Sequence, residues 1–227
     1  METIKKGLSA LALSSVAHAA TMFKTSFIWG SYASFFSLSH CMNPVIGKRG
    51  GGSLGLIYYS LRTLIVFITK GAWSLYSFTH HFSTLFGVLY ASAIYDTSPS
   101  SQAILKRYAL AASCLGCMLL FTIHPIGLQA WPYACLWILP LANALIVHNN
   151  MFINALASTF AAHAIGSVLW LYTLNSLTPA MWISLIPIAC LERMVFATGA
   201  CILDRLYTYS LYKWNTLAVP KHGNVQS

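Results

Sequence analysis

From Thr178 to Leu203 the chain is almost uninterruptedly apolar, yet Glu192 and Arg193 stand side by side near the middle of the run. A charged side chain at bilayer depth costs at least about 2.5–3.5 kcal/mol on insertion scales, so it persists only where it faces protein or water. The preceding apolar run, Met151 to Thr173, carries Asn154, Ser158, Thr159, His163, Ser167 and Trp170. Both stretches require a bundle that shelters polar groups from hydrocarbon.

Composition points the same way. The chain is 57% hydrophobic and only 7% charged, whereas a soluble domain carries about 25% charged residues. The expected fold is all-α: a polytopic transmembrane helix bundle of six to eight spans, with seven favoured. Thirteen Lys and Arg against four acids give a formal +9, an excess that marks loops held on the cytoplasmic side. Those basic residues are scattered in pairs between apolar spans, which argues against nucleic-acid binding. The sequence lacks a G-x-x-x-x-G-K-[ST] loop, so the chain is not expected to hydrolyse nucleotide itself. Cys114 and Cys117 have the spacing of a metal or redox pair, but with no second pair and an apolar setting they read as small hydrophobes. No cofactor and no metal is expected.

Taken in order, residues 1–25 form a signal-like segment. Lys5 and Lys6 precede an apolar run from Leu8 to Val16 and an Ala17-His18-Ala19 site. That layout fits a secretory signal peptide or a short helix that stays attached. Residues 26–205 make the bundle, with spans at Ser26–Met42, Ser53–Thr69, Ala72–Tyr95, a helix opened by Lys106-Arg107 and ending at His124-Pro125, Ala130–His148, Met151–Thr173 and Thr178–Leu203. A glycine-rich loop, Gly47 to Gly52, separates the first two. Residues 206–227 form a polar tail. With Ser26–Met42 entering the cytoplasm, Lys48-Arg49, Lys106-Arg107 and the tail fall on one side, which places the C-terminus and basic loops in the cytoplasm of an inner-membrane protein.

On a helical wheel Thr159, His163, Gly166, Ser167 and Trp170 share one face. A hydroxyl, an imidazole, a glycine and an indole suit an internal wall, either as ligand contacts or as hydrogen bonds between core helices. Arg62, Glu192 and Arg193 are the sharpest signal. An arginine inside a low-dielectric bundle stays charged and needs a carboxylate, carbonyls or water. Glu192 is the one acid at membrane depth for two arginines, so it is expected to pair with Arg62 or Arg193 and leave a positive charge over. That charge either faces a cavity and attracts a solute carboxylate or snorkels to a headgroup. Pro140 and Pro187 each free a backbone carbonyl inside a helix, and broken helices often line transporter sites. His80-His81 and His148-Asn149-Asn150 read as interfacial.

Two resemblances follow from short motifs. Ala162-His163-Ala164-Ile165-Gly166 resembles the A-H-x-x-G segment of rhomboid intramembrane proteases, and Ser53 in Gly51-Gly52-Ser53-Leu54-Gly55 lies upstream as that family requires. Leu54 interrupts the family's G-x-S-G motif. Pro44-Val45-Ile46-Gly47, followed by a glycine run and a new helix, looks like the first-loop region of substrate-binding S components of energy-coupling-factor vitamin transporters. Those are small, basic, very apolar chains of about six helices. That resemblance implies micronutrient capture without catalysis, docking of a transmembrane coupling subunit on a small-residue face (Ala10, Ser14, Ala17, His18), and energy from separate ATPases.

The functional expectation is binding or transport of a small anionic solute, contacted by Arg62, Thr159, His163, Ser167, Trp170, Glu192 and Arg193. The alternatives are a structural or assembly protein without a ligand, and an intramembrane serine protease. The lipid bilayer is the expected partner in every case.

Overall fold

The computed structural model describes residues 38–70, 75–173 and 177–218, leaving aside the side chains at 38, 39, 62, 66, 69, 70, 75–81, 214, 215, 217 and 218. Several expectations lie outside the described residues: the signal-like segment 1–25 with its small-residue face, most of the Ser26–Met42 span, the end of the polar tail at 219–227, and the side chains of Arg62, His80 and His81. Among the described residues all regular structure is helical. A 3-10 turn, Leu38–Cys41, leads into α1 (Met42–Lys70); then come α2 (Leu75–Tyr95), α3 (Ser101–Ile123), three short helices α4 (Pro125–Gln129), α5 (Trp131–Ala134) and α6 (Ile138–Leu145), and the long α7 (Met151–Thr173) and α8 (Pro179–Ala218). Among the described residues three segments are long and apolar enough to cross a membrane: Ser101–Ile123, Met151–Thr173 and Pro179–Lys213.

Local chemistry sets the ends of these helices. Ser100 accepts from the Ala103 amide, Asn150 from Ile153 and Thr178 from Met181, so each of the three spanning-length helices opens on a side-chain cap. At the far end of α3 the His124 ring accepts from the Ile126 amide, and Pro125 begins α4 where its missing N–H is harmless.

Three segments depart from the sequence expectation. Gly47 to Gly52 is not an open loop: α1 runs helically up to and beyond it, broken at Gly51, whose φ of 64° is left-handed and favours glycine. The two halves of α1 both press on α2, because Gly47 and Gly55 lie so close to Val88 that a Cβ on either would collide with it. The expected Ala130–His148 span is instead α5, a 3-10 turn at Cys135–Trp137, and α6. Pro132 stands within the first turn of α5, and a 3-10 turn then follows before α6. In the C-terminal segment α8 continues past Leu203 to Ala218.

The centre of the molecule is α7, which packs against α1, α2, α3, α6 and α8. Every residue from Ala157 to Ala162 is buried, so no side of the helix there is left to lipid. Small residues permit this. Gly87 of α2 sits against Ala162, and the Ser158 hydroxyl donates to the Gly87 carbonyl at 2.8 Å. Close approach of small residues, with a hydroxyl satisfying a carbonyl across the contact, is the favoured way to join helices in an apolar medium.

Candidate functional site

Of the Thr159–Trp170 face of α7, Thr159 and Ser167 turn inward, each 4% exposed, whereas His163, Gly166 and Trp170 are half-buried. The main counterpart of His163 is Tyr133 on α5, whose hydroxyl meets His163 Nε2 at 2.7 Å and Ser167 Oγ at 3.3 Å. Aromatic rings pack against Tyr133: Phe121 of α3, Trp137 of the 3-10 turn and Trp182 of α8 have ring centroids 5.5, 6.0 and 4.9 Å from its own. Trp170 packs, partly buried, against the same group. Hydroxyl, imidazole and second hydroxyl thus form a short chain that can relay a proton or exchange one of its bonds for a polar solute.

From the other side α8 contributes Glu192 and Arg193. Arg193 is 1% exposed, one of the largest fully buried side chains in the molecule. Its Nη2 donates to Glu192 Oε2 at 3.4 Å and its Nη1 to the Thr159 carbonyl at 3.4 Å, while the guanidinium carbon lies 4.9 Å from the Phe196 ring centroid. The Phe196 ring is in turn stacked on His40. Glu192 therefore pairs with its sequence neighbour. Of the seven residues named from sequence, His163 and Ser167 meet through Tyr133, Glu192 and Arg193 meet each other and the Thr159 carbonyl, Trp170 packs beside the Tyr133 cluster, and the Arg62 side chain is among those not described.

No family model, curated protein or solved structure matches this chain.

A second charged group lies at one end of the bundle, and the sequence reading missed it. Asp204 on α8 accepts from Lys48 Nζ and Arg49 Nε, each at 2.7 Å, and Arg49 Nη2 also reaches the Thr208 hydroxyl at 2.6 Å. Lys48 lies over the Tyr95 ring and Arg49 over Tyr207. The Asp96–Lys106 pair, 3.8 Å apart, and Met151 at the start of α7, which bonds Tyr95, belong to the same end. Tyr133 was missed as well. A tyrosine in an apolar run makes no periodic signal, although a hydroxyl there needs a partner.

Among the described residues no set of three or more His, Cys, Asp or Glu side chains is grouped to hold a metal ion. Cys114 and Cys117 are free thiols, each packed into an apolar cluster of the core.

Proposed function

We propose that this chain is a multi-pass inner-membrane protein that binds or carries a small anionic solute at the polar layer around Arg193. The observation that supports this best is the burial of Arg193 within an apolar helix, with its guanidinium donating to the Thr159 carbonyl of α7. Charge-assisted hydrogen bonds run about 2.7–2.9 Å, whereas the Arg193 contacts to Glu192 and Thr159 are both 3.4 Å. A solute carboxylate able to approach more closely would displace Glu192, and the Tyr133–His163–Ser167 chain would supply its remaining hydrogen bonds. The gathering of Lys48, Arg49, Lys106 and Asp204 at one end supports a cytoplasmic placement for that end. Seven spans, with the described helices preceded by one in the N-terminal region, remain part of this reading. So does the partnership with a coupling subunit and ATPases that the S-component resemblance implies.

A second reading, a structural bundle without a ligand, is favoured by one observation: Tyr133, His163, Ser167, Arg193 and Glu192 already bond one another or the Thr159 carbonyl. Thermal stability of the purified protein in nanodiscs, measured against a panel of small mono- and dicarboxylates, separates the two. Solute binding raises the midpoint by several degrees with at least one acid, and folded Glu192→Gln protein retains or strengthens that response. If no acid moves the midpoint and Glu192→Gln only impairs folding, the layer is structural.

A further inference from the structure

Trp137 and Trp182 are 0% and 1% exposed, and the indole Nε1 of each is buried without an acceptor among the described residues. They come from distant parts of the chain, the 3-10 turn after α5 and the first turn of α8, yet converge on the same two rings. Both stand edge-on to Phe121, at 5.3 and 5.2 Å, and both adjoin Tyr133. A buried N–H with nothing to donate to is costly, and buried indoles in native proteins usually find an acceptor. Where the protein offers none, an ordered water or a ligand atom is the ordinary answer. Both indole rings adjoin one tyrosine, and that tyrosine is hydrogen-bonded to His163 and Ser167.

Resting on the reading that this layer takes an anionic solute, we infer that the solute is a keto-type acid: a carboxylate on an apolar body that also carries a carbonyl oxygen. Arg193 receives the carboxylate. Phe121 and Tyr133 cover the apolar body, and the Trp137 and Trp182 indoles donate to the carbonyl. A polar polyanion would bury its charge against four aromatic rings, and a plain hydrocarbon acid would leave both indoles unmet. The combination of one charge, apolar surface and one neutral acceptor answers each group on the page.

The matched pair 6-oxo-6-phenylhexanoate and 6-phenylhexanoate, which differ by that one oxygen, tests the assignment by titration calorimetry on the full-length protein in nanodiscs. The keto acid is expected to bind about five- to tenfold more tightly than its methylene analogue. In Trp137→Phe or Trp182→Phe protein that ratio falls toward one. The ratio compares two ligands on the same folded molecules, so a loss of stability does not imitate it. Should neither variant fold, wild-type protein labelled with indole 15N replaces them: two indole resonances shift with the keto acid and stay in place with its analogue. Equal affinity for the two acids in wild-type protein overturns the carbonyl assignment and leaves the anionic-solute reading standing. A preference that survives in both phenylalanine variants removes the indoles from it, and binding of neither acid overturns both proposals.

Discussion

Two of the charged groups among the described residues are of opposite character. At the basic end, Asp204 joins Lys48 and Arg49 across more than 150 residues of sequence, with both bonds at 2.7 Å. In mid-bundle, Glu192 and Arg193 are adjacent in sequence and meet at 3.4 Å. Neighbours on a helix point about 100° apart and do not face each other, so the second pair cannot close well and ties no elements together. What joins α8 to α7 there is the reach of Arg193 to the Thr159 carbonyl. The end clasp is built for geometry and the inner pair for charge neutrality. A group that only neutralises can be exchanged for a solute's carboxylate, whereas one that fixes two helices cannot be exchanged without loosening them.

The largest effect is expected from removing the inner cation. Arg193→Ala should destabilise the protein by about 3–5 kcal/mol, because it strips a fully buried side chain and leaves Glu192 without its partner. Replacing both charges, Glu192→Gln with Arg193→Met, should recover much of that loss, since an apolar side chain of similar volume often substitutes for a buried pair at little cost. Unfolding in mixed micelles measures both. If the double variant is as unstable as Arg193→Ala, the inner pair fixes geometry after all and the contrast with Asp204 collapses.

Asp204→Asn comes next, at about 1–2 kcal/mol. Lys48 and Arg49 keep 26% and 31% of their side-chain surface exposed, so water and salt screen the clasp. Its effect should shrink in high salt, while that of Arg193→Ala should not. Equal salt sensitivity at the two sites would contradict the difference in their burial.

How much of this could be read from sequence depended on how far apart the partners lie. Met151–Thr173 emerged with the expected bounds because an apolar run between Asn150 and the next polar loop is a local signal. Thr159, His163 and Ser167 fell on one face by helical spacing alone. The same wheel could not show that Ala157 and Ala161 on the opposite side are just as buried, because α2 covers them and that is a tertiary fact. Tyr133 meets His163 from a segment that looked like a single span, until proline and a 3-10 turn divided it. Asp204 sat one residue beyond the expected end of its span, and nothing near it in sequence announces Lys48 and Arg49. Charge in an apolar run was legible, and the identity of its neighbours was not.

Tyr133→Phe asks for a smaller change within the inner layer. It deletes one hydroxyl and leaves His163 and Ser167 each a bond short, with the ring packing intact. A loss of about 1–2 kcal/mol is expected, together with weaker binding of any acid that stabilises the wild type. Unchanged stability with lost binding would sharpen the comparison further, since the inner layer would then serve the solute alone.

The smallest effect concerns the other acid at the basic end, Asp96, whose side chain is 33% exposed against 10% for Asp204. The Ser98 hydroxyl and amide donate to its carboxylate, and these bonds hold its pKa below the ordinary 3.8. A group whose folded pKa is depressed adds stability that is fully present above its unfolded pKa and is lost as pH falls through the lower folded value. Its contribution should therefore hold at pH 5 and disappear only as the pH falls below 3.8. Ser98→Ala should move the Asp96 titration upward, toward the ordinary carboxylate value, as followed by carboxyl carbon shifts in NMR. Lys106, 3.8 Å away and 58% exposed, should matter less, so Lys106→Gln ought to shift it by a smaller step. If the lysine change proves the larger, Asp96 is governed by charge as Asp204 is, and exposure is not what separates the two acids.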